Sequence, residues 1–127
     1  MKIHEFQAKQ VLARAGIPVP DGRLALTPDE AAKHASDLGL PVVIKAQVHA
    51  GGRGKAGGIK LAKTAGEARD HAKAILGMDI KGLRVEKVYV ERAAKIAREL
   101  YLGVTLDRDR RRPVVMLSTV EIGRAHV

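Results

Sequence analysis

The 127-residue chain has no cysteine and no tryptophan, and its other large aromatic side chains are one Phe and two Tyr. Without cysteine it can form neither disulfides nor thiolate metal sites. The core must therefore be built from Ala, Val, Leu and Ile, and a base-stacking platform for nucleic acid is lacking. No apolar run could cross a bilayer, and the charged first residues do not resemble a secretory signal. We expect a soluble cytoplasmic protein.

Charge of one sign predominates. Lys and Arg number 23 against 14 Asp and Glu, which gives a formal charge of +9. Such an excess suits a polyanionic partner, either nucleic acid or the phosphates of a nucleotide. The cluster Arg108–Arg112 keeps a basic nucleic-acid-binding domain as the alternative of another class, although it also fits a charged hairpin turn.

Three helices are predicted from apolar residues at helical spacing. The first buries a stripe of Ala8, Val11, Leu12 and Ala15 and ends at Gly16. The second and third begin at the caps Thr27 and Thr64 and end at Gly39 and Gly77, and a Glu three residues after each cap completes a capping box.

Strands are predicted between and after these helices, over 23–26, 41–46, 59–62, 85–90 with a bulge, 99–107 and 113–118. The nearly continuous apolar body of 41–46 predicts burial on both faces. Strands that alternate with helices and then pair as a hairpin indicate an α/β (α+β) fold, not a bundle or a sandwich.

The segment 49–58 contains five glycines together with Arg53 and Lys55. Glycine allows a positive φ and close approach of the backbone to a ligand, so successive amides can point at phosphate oxygens. The Walker phosphate loop is excluded, since His49 stands where its first glycine belongs and Ala56 stands where Ser or Thr belongs.

The dinucleotide pattern G-x-G-x-x-G is matched by Gly52, Gly54 and Gly57, but a strand-like stretch follows where the motif requires a helix. The remaining interpretation is a flexible hairpin that covers a triphosphate like a lid, with Lys45 on the incoming strand. An ordinary surface hairpin with solvated cations is the alternative.

Three runs carry a resemblance to a known family: His4–Lys9, Val43–Gly58 and Glu99–Gly103. They closely resemble the amino-terminal ATP-grasp region of ADP-forming succinate–CoA ligase β subunits; malate–CoA ligase β subunits look much the same. The resemblance implies an ATP-grasp fold with a mixed sheet and a glycine-rich lid. It also implies the reversible reaction of succinate, CoA and ATP to succinyl-CoA, ADP and phosphate in the citric acid cycle.

The resemblance further implies the binding residues and partners. Nucleotide contacts fall on Lys45, Gly52, Arg53, Gly54, Glu91, Ala94 and Glu99. Lys45 would contact phosphate, Glu91 and Ala94 the base edge through main-chain groups after their strand, and Glu99 the ribose. The ligand is ATP/ADP, with GTP/GDP as the alternative, and the Mg²⁺ ligands lie beyond position 127. An α subunit supplies the phosphohistidine and the CoA site, so no catalytic residue is expected here.

The histidines are expected to have minor roles. His4, His34 and His71 should be surface residues, and His49 should make a local hydrogen bond or phosphate contact. None of them is spaced as a metal-binding pair, so no metal site is expected within the chain.

The family likeness ends near Thr119, where relatives continue with an acid and glycines. Residues 121–127 also equal a one-frame translation of a widely used short-read sequencing adapter. We therefore expect residues 1–119 to be an incomplete ATP-grasp domain and 120–127 to be a non-native tail.

Overall fold

The computed structural model describes residues 2–119, so the expected tail at 120–127 lies outside the described residues. The chain divides into two compact units, one ending at Ala94 and the other beginning at Lys95. Among residues 2–119, no helix is long and apolar enough to cross a membrane.

The first unit combines three helices with a four-stranded sheet. Its elements are α1 Glu5–Arg14, β1 Gly22–Ala25, α2 Pro28–Leu38, β2 Val42–Ala46, β3 Ile59–Ala62, α3 Ala65–Ile75, β4 Asp79–Ile80, β5 Leu83–Arg84 and β6 Val88–Arg92. The sheet order is β1-β6-β2-β3, and β4 and β5 pair separately. The α/β class is confirmed. The sheet differs from the expected mixed sheet in one detail, since all its pairings are antiparallel. The strands β2 and β3 form a hairpin, and β6 runs opposite to both β1 and β2.

Both predicted threonine caps are confirmed. Thr27 Oγ1 accepts from the Glu30 amide at 3.2 Å, which satisfies one of the free donors at the start of α2. The Glu30 carboxylate does not return to the cap residue but accepts from the Leu26 amide at 2.7 Å, one residue earlier. The same arrangement recurs at α3, with Thr64, Glu67 and Lys63.

The core lies between α2 and α3 and one face of the sheet. That face presents Val42, Ile44 and Ala46 from β2 with Val88 and Val90 from β6, each 0% exposed. The helices contribute Ala31, Ala32, Ala35, Leu38, Ala68, Ala72 and Ile75. This is the small-residue core expected from a chain with so few large rings.

The opposite face of β2 is only half buried, so the prediction of burial on both faces was wrong. Val43 and Lys45 point away from the core, and α1 contacts this face through the polar side chains of its first turns. For the same reason the predicted apolar stripe of α1 is not buried. Val11 is 58% exposed and Leu12 is 40% exposed, since α1 contacts the sheet through a different side.

Val85 belongs to a small hairpin and not to a bulged strand with Val88. Its amide donates to Met78 O at 2.9 Å and its carbonyl accepts from the Gly77 amide at 2.8 Å. The phase slip between Val85 and Val88 therefore marks the boundary between two strands, β5 and β6.

The second unit contains one antiparallel hairpin, β7 Tyr101–Asp107 with β8 Arg112–Ser118. The strand begins two residues later than predicted, and the charged turn lies at 108–111 as expected. Leu102 pairs with Leu117 and Val104 with Val115, so the alternating pattern does collect apolar side chains on one face. In the described structure these side chains are exposed, with Val104 at 69%.

Candidate functional site

The glycine segment joins β2 to β3, and the strand Ile59–Ala62 follows it directly. This confirms the strand–loop–strand order that excluded the dinucleotide motif. The loop folds back on itself, since the Gly58 amide donates to Arg53 O at 2.7 Å and the Ala56 amide donates to Gly52 O at 3.1 Å.

Three glycines in this loop are sterically required. Gly52 and Gly57 have φ +76° and +83°, a region that residues with a Cβ rarely adopt. A Cβ on Gly58 would lie 2.8 Å from Ile80 Cδ1 and 3.1 Å from Arg53 O. The base of the loop is thus packed tightly against the protein, whereas Gly54 and Lys55 are exposed at its outer end.

Lys45 lies beside this loop on the non-core face of the sheet. Its Nζ donates to Glu5 Oε1 at 2.9 Å and to Glu91 Oε1 at 3.1 Å, and its side chain is only 17% exposed. The ammonium is thus held between a carboxylate from α1 and a carboxylate from β6.

Arg53 reaches the same carboxylate from the loop. Its Nη1 donates to Glu5 Oε2 at 2.6 Å and to Ala46 O at 2.7 Å. The buried Gln47 accepts from the Phe6 amide at 3.0 Å, which fixes the start of α1 against the end of β2. Glu5 therefore joins the two cations that the sequence assigned to phosphate.

The cations determine the ionisation of Glu5. Burial alone would raise its pKa, but the hydrogen bond and charge of Lys45, together with Arg53, outweigh burial and lower the pKa to about 2. Burial and the charge of Lys45 lower the pKa of Lys9, although Glu5 opposes this. Burial, with Glu5 and Asp21 nearby, raises the pKa of Tyr89.

Glu91 lies within β6 and not after it, and is only 7% exposed. The expected position after the strand was therefore wrong for Glu91, and its carboxylate is not a solvated charge but pairs with Lys45 and with Lys9. Since β6 is a central strand, Glu91 is in register with both Gly22 of β1 and Val43 of β2.

Ala94 lies three residues beyond Glu91, at the exposed end of this segment. It lines an open cavity of about 310 Å³ together with Val19, Pro20, Asp21, Arg92 and Ala93. Three residues span at most about 11 Å of extended chain, so the cavity wall lies within that reach of Glu91. Glu99 belongs to the second unit and is half buried.

The predicted surface histidines His4, His34 and His71 are each half buried. His34 Nε2 contacts Leu24 O at 3.1 Å, which holds α2 near β1. The His4 ring stacks on His49 with 4.0 Å between centroids, and burial, His49, Lys87 and Arg53 lower the pKa of His4. Within residues 2–119 no group of three or more His, Cys, Asp or Glu side chains could hold a metal ion.

Sequence reasoning missed Glu5, Lys9 and Gln47 as members of the charged cluster. Glu5 and Lys9 are four residues apart and form a helical ion pair at 3.3 Å, a spacing visible in the sequence. Their contacts with β2 and β6 span more than 30 residues along the chain, and no local pattern indicates them.

Comparison with known proteins gives a consistent result. A family model described as the ATP-grasp domain matches residues 2–123. The ADP-forming succinate–CoA ligase subunit β of Natronomonas pharaonis is 61% identical over 119 residues, which cover 94% of this chain and 31% of that protein. The GDP-forming succinate–CoA ligase subunit β of Thermus thermophilus is 60% identical over 118 residues, again 31% of its length. The chain thus spans about a third of these relatives.

Among solved structures, a dinucleotide-forming acetyl-coenzyme A synthetase of Ca. Korarchaeum cryptofilum superposes with a TM-score of 0.81 at 27% identity, over 91% of this chain and 52% of that one. That protein was solved in complex with coenzyme A and Ca-AMPCP. The phosphoribosylamine–glycine ligase of Thermotoga maritima gives 0.60 at 25% identity, over 88% and 27% of the two chains.

Proposed function

This chain belongs to the ATP-grasp family, and from that membership we propose that it is the nucleotide-binding portion of a succinate–CoA ligase β subunit. The whole enzyme would convert succinate, CoA and ATP reversibly to succinyl-CoA, ADP and phosphate. The support is 61% identity to such a subunit over 94% of this chain. The relatives reported above are named for succinate, which disfavours malate. Both ADP-forming and GDP-forming subunits are among them, so either base is compatible.

The observation that carries the proposal is the convergence of Lys45 and Arg53 on Glu5 beside the glycine hairpin. In this proposal the amides of Gly52–Gly54 approach the phosphates closely, while the two cations offset their charge. The lysine and arginine keep further N–H donors for a ligand beyond those given to Glu5.

The base would lie toward the cavity lined by Ala94, within reach of Glu91. Arg92 of the cavity lies three residues along β6 from Tyr89, the register partner of Lys45, a separation of about 10 Å that an extended nucleotide could span. Glu99 lies in the second unit, and its hydrogen bond with the ribose hydroxyls remains a prediction from the family resemblance.

The remaining parts of the reaction fall to groups outside residues 2–119. Mg²⁺ would supply positive charge that offsets the phosphate oxygens. We propose that its ligands come from the part of the subunit that follows this chain. The phosphohistidine and the CoA site are assigned to an α subunit. The cytoplasmic location remains a prediction.

The test is a ¹H–¹⁵N NMR titration of the labelled chain with MgATP, MgGTP and NAD. We expect MgATP or MgGTP to shift the amides of residues 45 and 52–54, with weak affinity because only part of the fold is present. NAD, which the dinucleotide motif would bind, should leave these amides unchanged. Lys60 is an exposed lysine on β3, and Lys60→Gln is the control for the non-specific effect of removing one positive charge.

Two results would contradict the proposal. One is an absence of shifts at the glycine segment at millimolar MgATP. The other is DNA retention that depends on salt but is not altered by MgATP, which would favour the nucleic-acid alternative.

A further inference from the structure

A third cation lies against the glycine loop, outside the set implied by the family resemblance. It is Lys81, in the two-residue turn Lys81–Gly82 that joins β4 to β5. A Cβ on Gly52 would lie 3.4 Å from Lys81 Nζ and 3.6 Å from its Cε. The ammonium is therefore beside Gly52, one of the glycines assigned to phosphate by the family resemblance.

The turn that carries Lys81 is fixed relative to the loop. Ile80, next to it, is 1% exposed and packs so closely on Gly58 that a Cβ there would lie 2.8 Å from Ile80 Cδ1. On the other side of the turn, Asp79 Oδ1 accepts from the Gly82 amide at 2.9 Å. Lys81 is thus presented to Gly52 from a tethered hairpin and not from a free loop.

The backbone conformation makes lysine an unexpected residue at this position. Lys81 has φ +52° and Gly82 has φ +81°, the left-handed pair of a tight hairpin turn. Asn, Asp and Gly suit the first of these positions, whereas lysine is disfavoured there by its Cβ. A residue kept in a disfavoured conformation motivates a search for a role of its side chain.

The ion pairs around the loop indicate what the Lys81 side chain could do. Lys45 and Arg53 each pair with carboxylates, whereas Lys81 takes part in none of the ion pairs formed among residues 2–119. Its side chain is exposed and its positive charge is available to an anion. We propose that Lys81 is an additional phosphate-binding residue, which donates to phosphate oxygens of a ligand held at Gly52. This inference depends on the proposed nucleotide site and extends it.

The decisive variant is Lys81→Asn, because Asn suits the left-handed turn while removing the charge. We expect its Kd for MgATP, measured by NMR titration, to rise about tenfold, as for loss of a partly screened charged hydrogen bond. Its urea midpoint should equal or exceed that of the unsubstituted chain. Lys81→Arg should retain most of the affinity, and Lys60→Gln should change the Kd less than twofold.

Several outcomes separate the possibilities. If the unsubstituted chain binds MgATP and Lys81→Asn binds equally well, the role of Lys81 is refuted while the nucleotide site stands. If Lys60→Gln weakens MgATP binding as much as Lys81→Asn does, the loss reflects only the reduced net charge of the protein, and the proposal fails. If the unsubstituted chain does not bind, both proposals fall together. A parallel titration with inorganic phosphate distinguishes the source: equal weakening assigns Lys81 to a free phosphate, and weakening for MgATP alone assigns it to the nucleotide.

Discussion

Substitution of Glu5 by Gln removes one charge from the centre of the cluster while keeping the size of the side chain. The Glu5 carboxylate accepts from Lys45 at 2.9 Å and from Arg53 at 2.6 Å, and its side chain is 22% exposed. Its pKa is lowered from 4.5 to about 2, which sets an upper bound of about 3 kcal/mol on the stability that its ionisation contributes. Partial exposure and relaxation reduce this, and we expect Glu5→Gln to lower the free energy of unfolding by about 1–2 kcal/mol at neutral pH.

The pH dependence gives the sharper test. A carboxylate with a depressed folded-state pKa stabilises fully above its unfolded-state value and loses this contribution as the pH falls through the folded-state value. The stability difference between the unsubstituted chain and Glu5→Gln should therefore be constant from pH 7 to about pH 5. By about pH 3.5 it should shrink by roughly 1 kcal/mol. Groups common to both proteins cancel in this difference.

Urea unfolding followed by circular dichroism measures this difference at each pH. The matched control is Asp70→Asn, an exposed acid on α3 outside the cluster, which should leave stability and its pH dependence nearly unchanged. A Glu5→Gln difference that stays the same down to pH 3.5 would show that Glu5 is not held ionised by Lys45 and Arg53.

Three further predictions concern the loop, the caps and the reaction. Gly58→Ala should lower the free energy of unfolding, measured in urea, by about 1–3 kcal/mol, because the new methyl would lie 2.8 Å from Ile80 Cδ1. The control Gly66→Ala should be neutral or stabilising, because its methyl would have only Thr64 Oγ1 nearby, at 3.8 Å. Thr64→Ala should lower the free energy of unfolding by about 1 kcal/mol through loss of the cap at α3, whereas Thr64→Ser should keep most of the stabilisation that the cap provides. Equal losses of stability in the two variants would argue against the hydroxyl contact. A mixture of this chain with a relative's α subunit, succinate, CoA and MgATP should form no succinyl-CoA above background, as measured by chromatography. Measurable turnover would contradict the assignment of the metal ligands to residues beyond position 127.

The elements whose formation depends on local chemistry were predictable. The Thr27 and Thr64 caps, the breaks at Gly39 and Gly77, and the alternation in Leu102–Leu106 act within a few residues, so they are visible in the sequence. The strand after the glycines was likewise predicted from its composition, and this excluded the dinucleotide motif.

What was not predictable depends on which side of an element meets the rest of the protein. The apolar stripe of α1 has helical spacing, yet Glu5, Phe6 and Lys9 are the side chains that contact the sheet. Periodicity indicates that a helix has an apolar side, but not that this side is the one that packs. Similarly, the sequence alone suggests one strand through Val85 and Val88. Neither residue between them is Gly or Pro, so nothing marks where the small hairpin ends and β6 begins.

The charge balance of the cluster limits what it can do alone. Lys9, Lys45 and Arg53 face the two carboxylates of Glu5 and Glu91, so a single net positive charge remains. A triphosphate carries more negative charge than this, so in the proposed site the cluster would orient a nucleotide without neutralising it. In the proposed site the remaining charge would be offset by cations outside the cluster, namely Mg²⁺ and exposed lysines such as Lys81 at the loop. We therefore expect weak nucleotide affinity in the isolated chain, because Glu5 and Glu91 offset the charge of Lys45 and Arg53. Removal of Glu5 should make the site more positive but less ordered, at a cost in stability.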